Sequence, residues 1–410
     1  DTGISGARHN ITENEYAMKC IMRILHLAGK DALPLSTICI AELAKILAEA
    51  AKSPQNPSFS HYLFESLAIS VKCLAGGKPD AVPAVEQLLL PTFQQILVQD
   101  ITEFSTYTFQ IMALLLELHS GSVSPAYQQL FPQLLTPELW RRSGNIPGLV
   151  RILQAYIKKT RGSSDVVKYL EGILGVFQNL ISSKLNDHEG FFLLESIVQH
   201  LPLNVFEQYL PTIWRLLFSR IMQSKTQKFL RSFIIFVSLF VSAHPPDFVV
   251  KSIETIQERM FANVIEQVIL PNVQTVSGKI ERKICAVGLT KLLTQCETVQ
   301  SQYSPLWLPM LEGNLKLLLG SKEDDNVSDN VEEEELGYKA AFSKLAYGGR
   351  EDVDPFPDVD GHKFLAIQLH ELSKRVPGQF PSVVQQLGQD YQTGLTMCFN
   401  AANIPQPYLM

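Results

Sequence analysis

Apolar residues recur along this chain at i, i+3, i+4 and i+7, in segments separated by short polar or Pro-containing breaks. The first segment starts near Glu13, places Met18, Ile21, Met22 and Leu25 on one face, and ends at Gly29. The next places Ile40, Leu43, Ala44 and Leu47 together and stops before Ser53-Pro54. The pattern then repeats as helix pairs: 58–75 with 82–99, 103–119 with 125–135, 145–159 with 164–182, 187–201 with 205–222, 226–243 with 247–276, and 279–295 with 303–319. Residues Leu63, Leu67, Val71 and Leu74 share one face, as do Leu149, Ile152, Leu153 and Tyr156. First helices therefore begin near 13, 58, 103, 145, 187, 226 and 279. A helix pair every ~40–47 residues is the period of HEAT and armadillo arrays.

The expected fold class is all-α, a HEAT-repeat alpha-alpha superhelix. Prolines at 83, 91, 132 and 211 fall in second helices, where a first-turn proline is tolerated and an interior one bends the helix. The long segment 247–276 predicts an extended helix kinked at Pro271. The expected organisation is a disordered lead-in at 1–13, about seven HEAT-like pairs over 14–320, an acidic loop at 321–336, C-terminal helices over 337–403 and a tail at 404–410. Helical segments are expected within that C-terminal part at 336–346, 362–375 and 383–401. A repeat unit buries its apolar face only against neighbours, so the first pair is expected to expose apolar surface. The start at Asp1 with a polar lead-in reads as a fragment of a longer protein.

Composition sharpens this picture. Charged residues make up only 19% of the chain, below the ~25% of an ordinary soluble domain, which implies helices covered on more than one side. Eight carboxylates crowd into 323–335 and five more into 351–360, leaving a mildly basic helical body. Such a block is a self-repelling solvated loop or a landing strip for a basic partner. Six cysteines lie at 20, 39, 73, 285, 296 and 398 with no CxxC pair, and read as reduced, mostly buried thiols. The apolar run 229–241 contains Arg231 and is shorter than the ~20 residues of a membrane span, so it reads as a core helix.

Catalytic signatures are lacking. Gly76-Gly77-Lys78 is followed by Pro79 and has no Gly five positions before Gly77, so it is not a phosphate loop. Asp187-His188-Glu189 contains acid–base groups, but it opens a helix, where acidic residues favour the dipole. Basic clusters occur at Arg141 and Arg142, at Lys225, Lys228 and Arg231, and at Arg282 and Lys283. None is dense enough for a nucleic-acid patch. In a helical array such clusters line an edge and become partner contacts.

Several stretches together carry a family resemblance: NEYAMKCIMR at 14–23, SGNIPGLVRILQAY at 143–156, SKLNDHEGFFLLESI at 183–197, SKTQKFLRSF at 224–233, VSGKIERKICAVGLTKLL at 276–293 and GYKAAFSKLAYGG at 337–349. In order and without large gaps, they resemble the C-terminal part of the cellular apoptosis susceptibility family, exportins of the importin-beta (karyopherin-beta) superfamily. The resemblance implies a nuclear export receptor that binds importin-alpha with Ran-GTP, passes nuclear pore proteins and shuttles between nucleus and cytoplasm. It implies no enzyme activity, no metal or cofactor, no nucleic acid and no membrane insertion. It places partner contacts around Arg142 and Asn145, around Asn186, Asp187, His188 and Glu189, and from Glu332, Glu333, Glu334 and Glu335 to Tyr338. Arg141, Lys225, Lys228, Arg282 and Lys283 join them as candidates from their clustering alone. The alternative is a HEAT scaffold subunit of another complex, such as a phosphatase or kinase assembly.

Overall fold

The computed structural model describes residues 13–320, 344–378 and 381–405. These residues are mostly helical, with no strand among them. The chain divides into two compact units, the first made of 13–160 with 344–351 and the second of the remaining described residues. The boundary at Thr160 falls between the two helices of the fourth expected pair, at Arg161 and Gly162, both of which have positive φ.

Unit 1 contains α1 (Glu15–Ala28), α2 (Leu33–Ala50), α3 (Pro57–Gly77), α4 (Val82–Val98), α5 (Thr102–Leu118), α6 (Pro125–Leu134) and α7 (Ile146–Thr160). Starts are fixed by local chemistry. Asn14 accepts from the Ala17 N–H, and Asn56 accepts from the Phe59 N–H with Pro57 in the first turn. Helices α1, α3, α5 and α7 pack in succession as one layer, and α2 and α4 cover it. Helix α6 joins the covering side: the Tyr127 hydroxyl donates to Met112 O, and Phe131 stacks on Tyr156.

The middle helices are enclosed nearly all round. Helix α5 buries Phe104, Phe109, Ile111, Met112, Leu114, Leu115 and Leu116, each contributing about 1.5–3 kcal/mol of transfer free energy. Serines sit on these enclosed faces without orphaned hydroxyls. Ser66, Ser70 and Ser105 donate to the carbonyls of Tyr62, Ser66 and Ile101, one turn back. At the open side of α1 and α2, Tyr16, Ile21, Ile24, Leu27, Leu35 and Ile38 are exposed, the apolar end expected of an unstacked pair. Ile21 was assigned to the buried face by periodicity. It is exposed in the structure, while Met18, Met22 and Leu25 of the same helix are buried.

Unit 2 contains α8 (Ser164–Ile181), α9 (Asp187–His200), α10 (Leu203–Phe206), α11 (Leu210–Gln223), α12 (Gln227–Ala243), α13 (Pro246–Glu254), α14 (Met260–Val264), α15 (Leu270–Asn272), α16 (Lys279–Gln295), α17 (Glu297–Gln300) and α18 (Trp307–Leu319). Three further helices follow: α19 (Gly361–Arg375), α20 (Pro381–Val384) and α21 (Gln389–Ala401). The layer here is α9, α12, α16 and α19. Helix α12 is the apolar run 229–241, a core helix as expected, and no helix among the described residues is long and apolar enough to cross a membrane. Helix α16 approaches it at Gly288, where a Cβ would lie 2.7 Å from Ser238 Cα. Only a glycine permits that backbone contact.

Three expectations fail locally. The segment 247–276 is not one helix kinked at Pro271. It breaks earlier, where Arg259 takes a left-handed φ of 61° and the Glu254 carboxylate receives the N–H groups of Arg259 and Phe261. A π turn over Ile265–Ile269 then precedes Pro271. The helix expected to reach Ala346 is absent at Lys344, Leu345 and Ala346, which are non-helical. The segment 383–401 is interrupted between α20 and α21.

Candidate functional site

The anticipated contact residues separate by environment. Arg141 and Arg142 close a 3-10 turn before α7. Arg141 is exposed, while Arg142 makes a two-pronged pair with Asp100 at 2.5 and 2.6 Å. Asn145 is buried rather than presented: it accepts from Thr106 Oγ1 at 3.1 Å, tying α7's entry to α5.

The Asp187-His188-Glu189 tripeptide is also largely internal. Asp187 has no exposed surface and receives Arg220 Nη2 at 2.8 Å. The same guanidinium donates to Ser224 O and lies 5.0 Å from the Phe229 ring centroid. Burial raises the Asp187 carboxyl above its ordinary range, with Arg220 pulling the other way. Asp187 is thus a core ion-pair residue, not surface available to a partner. Glu189 is buried beside the half-buried His188, 3.7 Å away, and Asn186 is half-buried.

Among the basic clusters, Lys225 is exposed and Lys228 half-buried. Arg282 donates to Leu317 O, and Lys283 pairs with Asp354 at 2.7 Å. Both are occupied inside unit 2. The second acidic stretch is likewise engaged. Glu351 pairs with Lys72, Asp354 with Lys283, and Asp360 caps α19 by accepting from His362 and Lys363. Glu332, Glu333, Glu334, Glu335 and Tyr338 lie outside the described residues.

Cys285, Cys296 and Cys398 are buried free thiols, pushed up by burial to about 12, 12 and 11. Cys39 and Cys73 are half-buried. Cys20 is exposed, because it projects away from the face α1 packs on α3. Among the described residues, no group of three or more His, Cys, Asp or Glu is placed to hold a metal ion.

Periodicity alone missed a second set of polar residues. Glu65 on α3, Gln110 on α5 and Arg151 on α7 are all buried and stand 45 and 41 residues apart, one per repeat. Their side chains converge on the backbone of residues 345–348. The Leu345 N–H donates to Gln110 Oε1 at 2.9 Å. The N–H groups of Ala346 and Tyr347 donate to the two Glu65 oxygens at 2.5 and 2.9 Å. The Gly348 carbonyl accepts from Arg151, whose guanidinium also grips Glu117 through two bonds. The available signal was a polar residue on an otherwise apolar face, recurring at the repeat interval.

Taken together, the layered helix pairs, the mixed-charge edges and the fully enclosed core define a helical-repeat scaffold of the HEAT type. The family model for the C-terminus of CAS/CSE proteins matches residues 4–397, and the chain belongs to that family. It is 44% identical over 384 residues to Exportin-2 of Oreochromis niloticus, and 42% identical over 384 residues to Exportin-2 of Homo sapiens. Each match covers 91% of this chain and 39% of the relative, so the chain spans about two-fifths of those proteins' length. A solved structure described as the exportin Cse1 in its cargo-free, cytoplasmic state superposes with a TM-score of 0.83 at 27% identity. That match covers 94% of this chain and 40% of the other.

Proposed function

We propose that this chain is the C-terminal portion of an export receptor that binds importin-alpha cooperatively with Ran-GTP and returns it to the cytoplasm. The observation that carries the reading is the unbroken family match over 4–397 on a helix-pair architecture. Repeat scaffolds of this kind bind through extended surfaces and edges. The accessible candidates for such contacts are Arg141 and Lys225, with His188 and Asn186 half-accessible beside them. The acidic run 323–335 adds a complement for a basic partner surface.

The test is retention on the immobilised full-length parent protein. With importin-alpha present, Ran loaded with a non-hydrolysable GTP analogue is retained together with it, and GDP-loaded Ran is not. Retention of neither protein, or equal retention in both nucleotide states, overturns the proposal.

A further inference from the structure

Among the described residues of unit 1, the segment 344–351 alone comes from outside the helix-pair sequence, and its seating is specific. Leu345 is 1% exposed. Tyr347 packs at the small cluster of Met22, Leu25, Ala32 and Ile69, with its ring 4.5 Å from that of His26. Gly348 lies so close to α3 that a Cβ would fall 2.8 Å from Leu345 Cδ1 and 3.3 Å from Ala68 Cβ. At 345–348 the main chain is gripped through three successive N–H groups and one carbonyl, read by Gln110, Glu65 and Arg151.

The three receiving side chains keep other partners. Arg151 holds Glu117 through two bonds at 2.7 and 2.5 Å, Gln110 donates to Thr106 O, and His61 stands 3.8 Å from Glu65. Withdrawal of the segment therefore leaves an ordered, partly satisfied row of donors and acceptors across three helices. A buried carboxylate, amide and guanidinium arranged this way are a pre-organised receptor for the main chain of a bent peptide segment.

We propose that Glu65, Gln110 and Arg151 form a binding site for the main chain of a bent peptide segment, and that Leu345–Gly348 is its built-in, displaceable occupant. The ligand class follows from the seat. It takes a Leu-x-aromatic-Gly segment bent as 345–348 is, the leucine filling the Leu345 position and the glycine permitting close approach to Leu345 and to Ala68 of α3. While tethered, the internal segment holds an effective concentration of the order of millimolar and excludes an outside peptide.

The experiment uses a fluorescein-labelled peptide spanning 343–352, titrated by anisotropy against the whole chain. The wild-type chain is expected to bind it at least tenfold more weakly than the variant L345D/G348V, in which the internal segment is unseated. Adding Glu65→Ala to that variant is expected to abolish binding. Equal binding by wild type and variant, or binding that survives Glu65→Ala, overturns the proposal. Should L345D/G348V not fold, hydrogen exchange in the wild-type chain decides. The amides of 345–348 are expected to exchange at least tenfold faster than the core amides of α3 and α5. Exchange at the core rate identifies a permanent staple and refutes displacement.

Discussion

Replacing Arg220 with Met isolates the energetics of the core ion pair in unit 2. Asp187 is wholly buried, and Arg220 Nη2 at 2.8 Å is the charge that offsets it. Removing one partner of a buried pair leaves an uncompensated charge and costs about 3–5 kcal/mol. The lost contact with the Phe229 ring adds on the order of 1 kcal/mol. Methionine keeps most of the apolar stem, so the packing loss is small. The loss has a pH signature. Burial already raises the Asp187 carboxyl, and without Arg220 it rises further. A carboxyl with a raised folded pKa contributes stability that is full below its unfolded value and is lost as pH rises through the folded value. R220M is therefore more damaging at pH 8 than at pH 5. Adding Asp187→Asn removes the orphaned charge and should recover a large part of the loss.

The assay is urea unfolding followed by tryptophan fluorescence in a Trp140→Phe background. The remaining tryptophans, Trp214 and Trp307, are both buried in unit 2 and report on it alone. A loss below about 1 kcal/mol, an equal loss at both pH values, or no recovery in D187N/R220M would each refute the argument that an uncompensated buried charge dominates this site.

Two further predictions rest on other contacts. Gly288→Val drives two methyl groups into the Ser238 backbone, and should destabilise unit 2 by about 1–3 kcal/mol or more in the same urea assay. Glu86 on α4 is buried, and burial raises its pKa to about 7 against partial relief from Ser124 and Lys159, with His119 3.8 Å away. Its stabilising contribution is full below about 4.5 and is lost as pH rises from there through about 7, so the chain should lose stability between about pH 4.5 and 7.5. Glu86→Gln should flatten that slope in thermal melts and stabilise the chain at pH 8.5 by roughly 1–3 kcal/mol. His119, whose pKa is lowered by burial and by Lys159, acts oppositely and on the acid side.

The helix pairs were legible because nearly every pair carries its own periodic apolar face and a local stop. Asn14, Asn56 and Thr226 each cap a helix within one to three residues of its expected start. Where the sequence misled, the deciding partner came from far away or from an unusual backbone. Nothing in the residues around Arg259 announces a left-handed turn, since neither Gly nor Pro is there. Asp187 reads as a helix-start carboxylate because Arg220, 33 residues on, is invisible to local spacing. Residues 344–346 continue a plausible helical pattern. The N–H groups of Leu345 and Ala346 are captured instead by Gln110 and Glu65, which compete directly with intrahelical bonding. Lys283 and Arg282 looked available because Asp354 and Leu317 O lie 71 and 35 residues downstream.

The seating of 345–348 also orders events during synthesis. Contacts within each helix pair, and between neighbouring pairs, join residues close in sequence and form quickly. The bonds from Leu345 to Gln110 and from Ala346 to Glu65 span 235 and 281 residues. At ribosomal rates of about 5–20 residues per second, α3, α5 and α7 are complete for on the order of ten seconds or more before their occupant emerges. Throughout that interval the Glu65–Gln110–Arg151 row faces the nascent-chain environment unfilled, so the last step of maturation for unit 1 is a ligand-like docking event contributed by its own distant sequence.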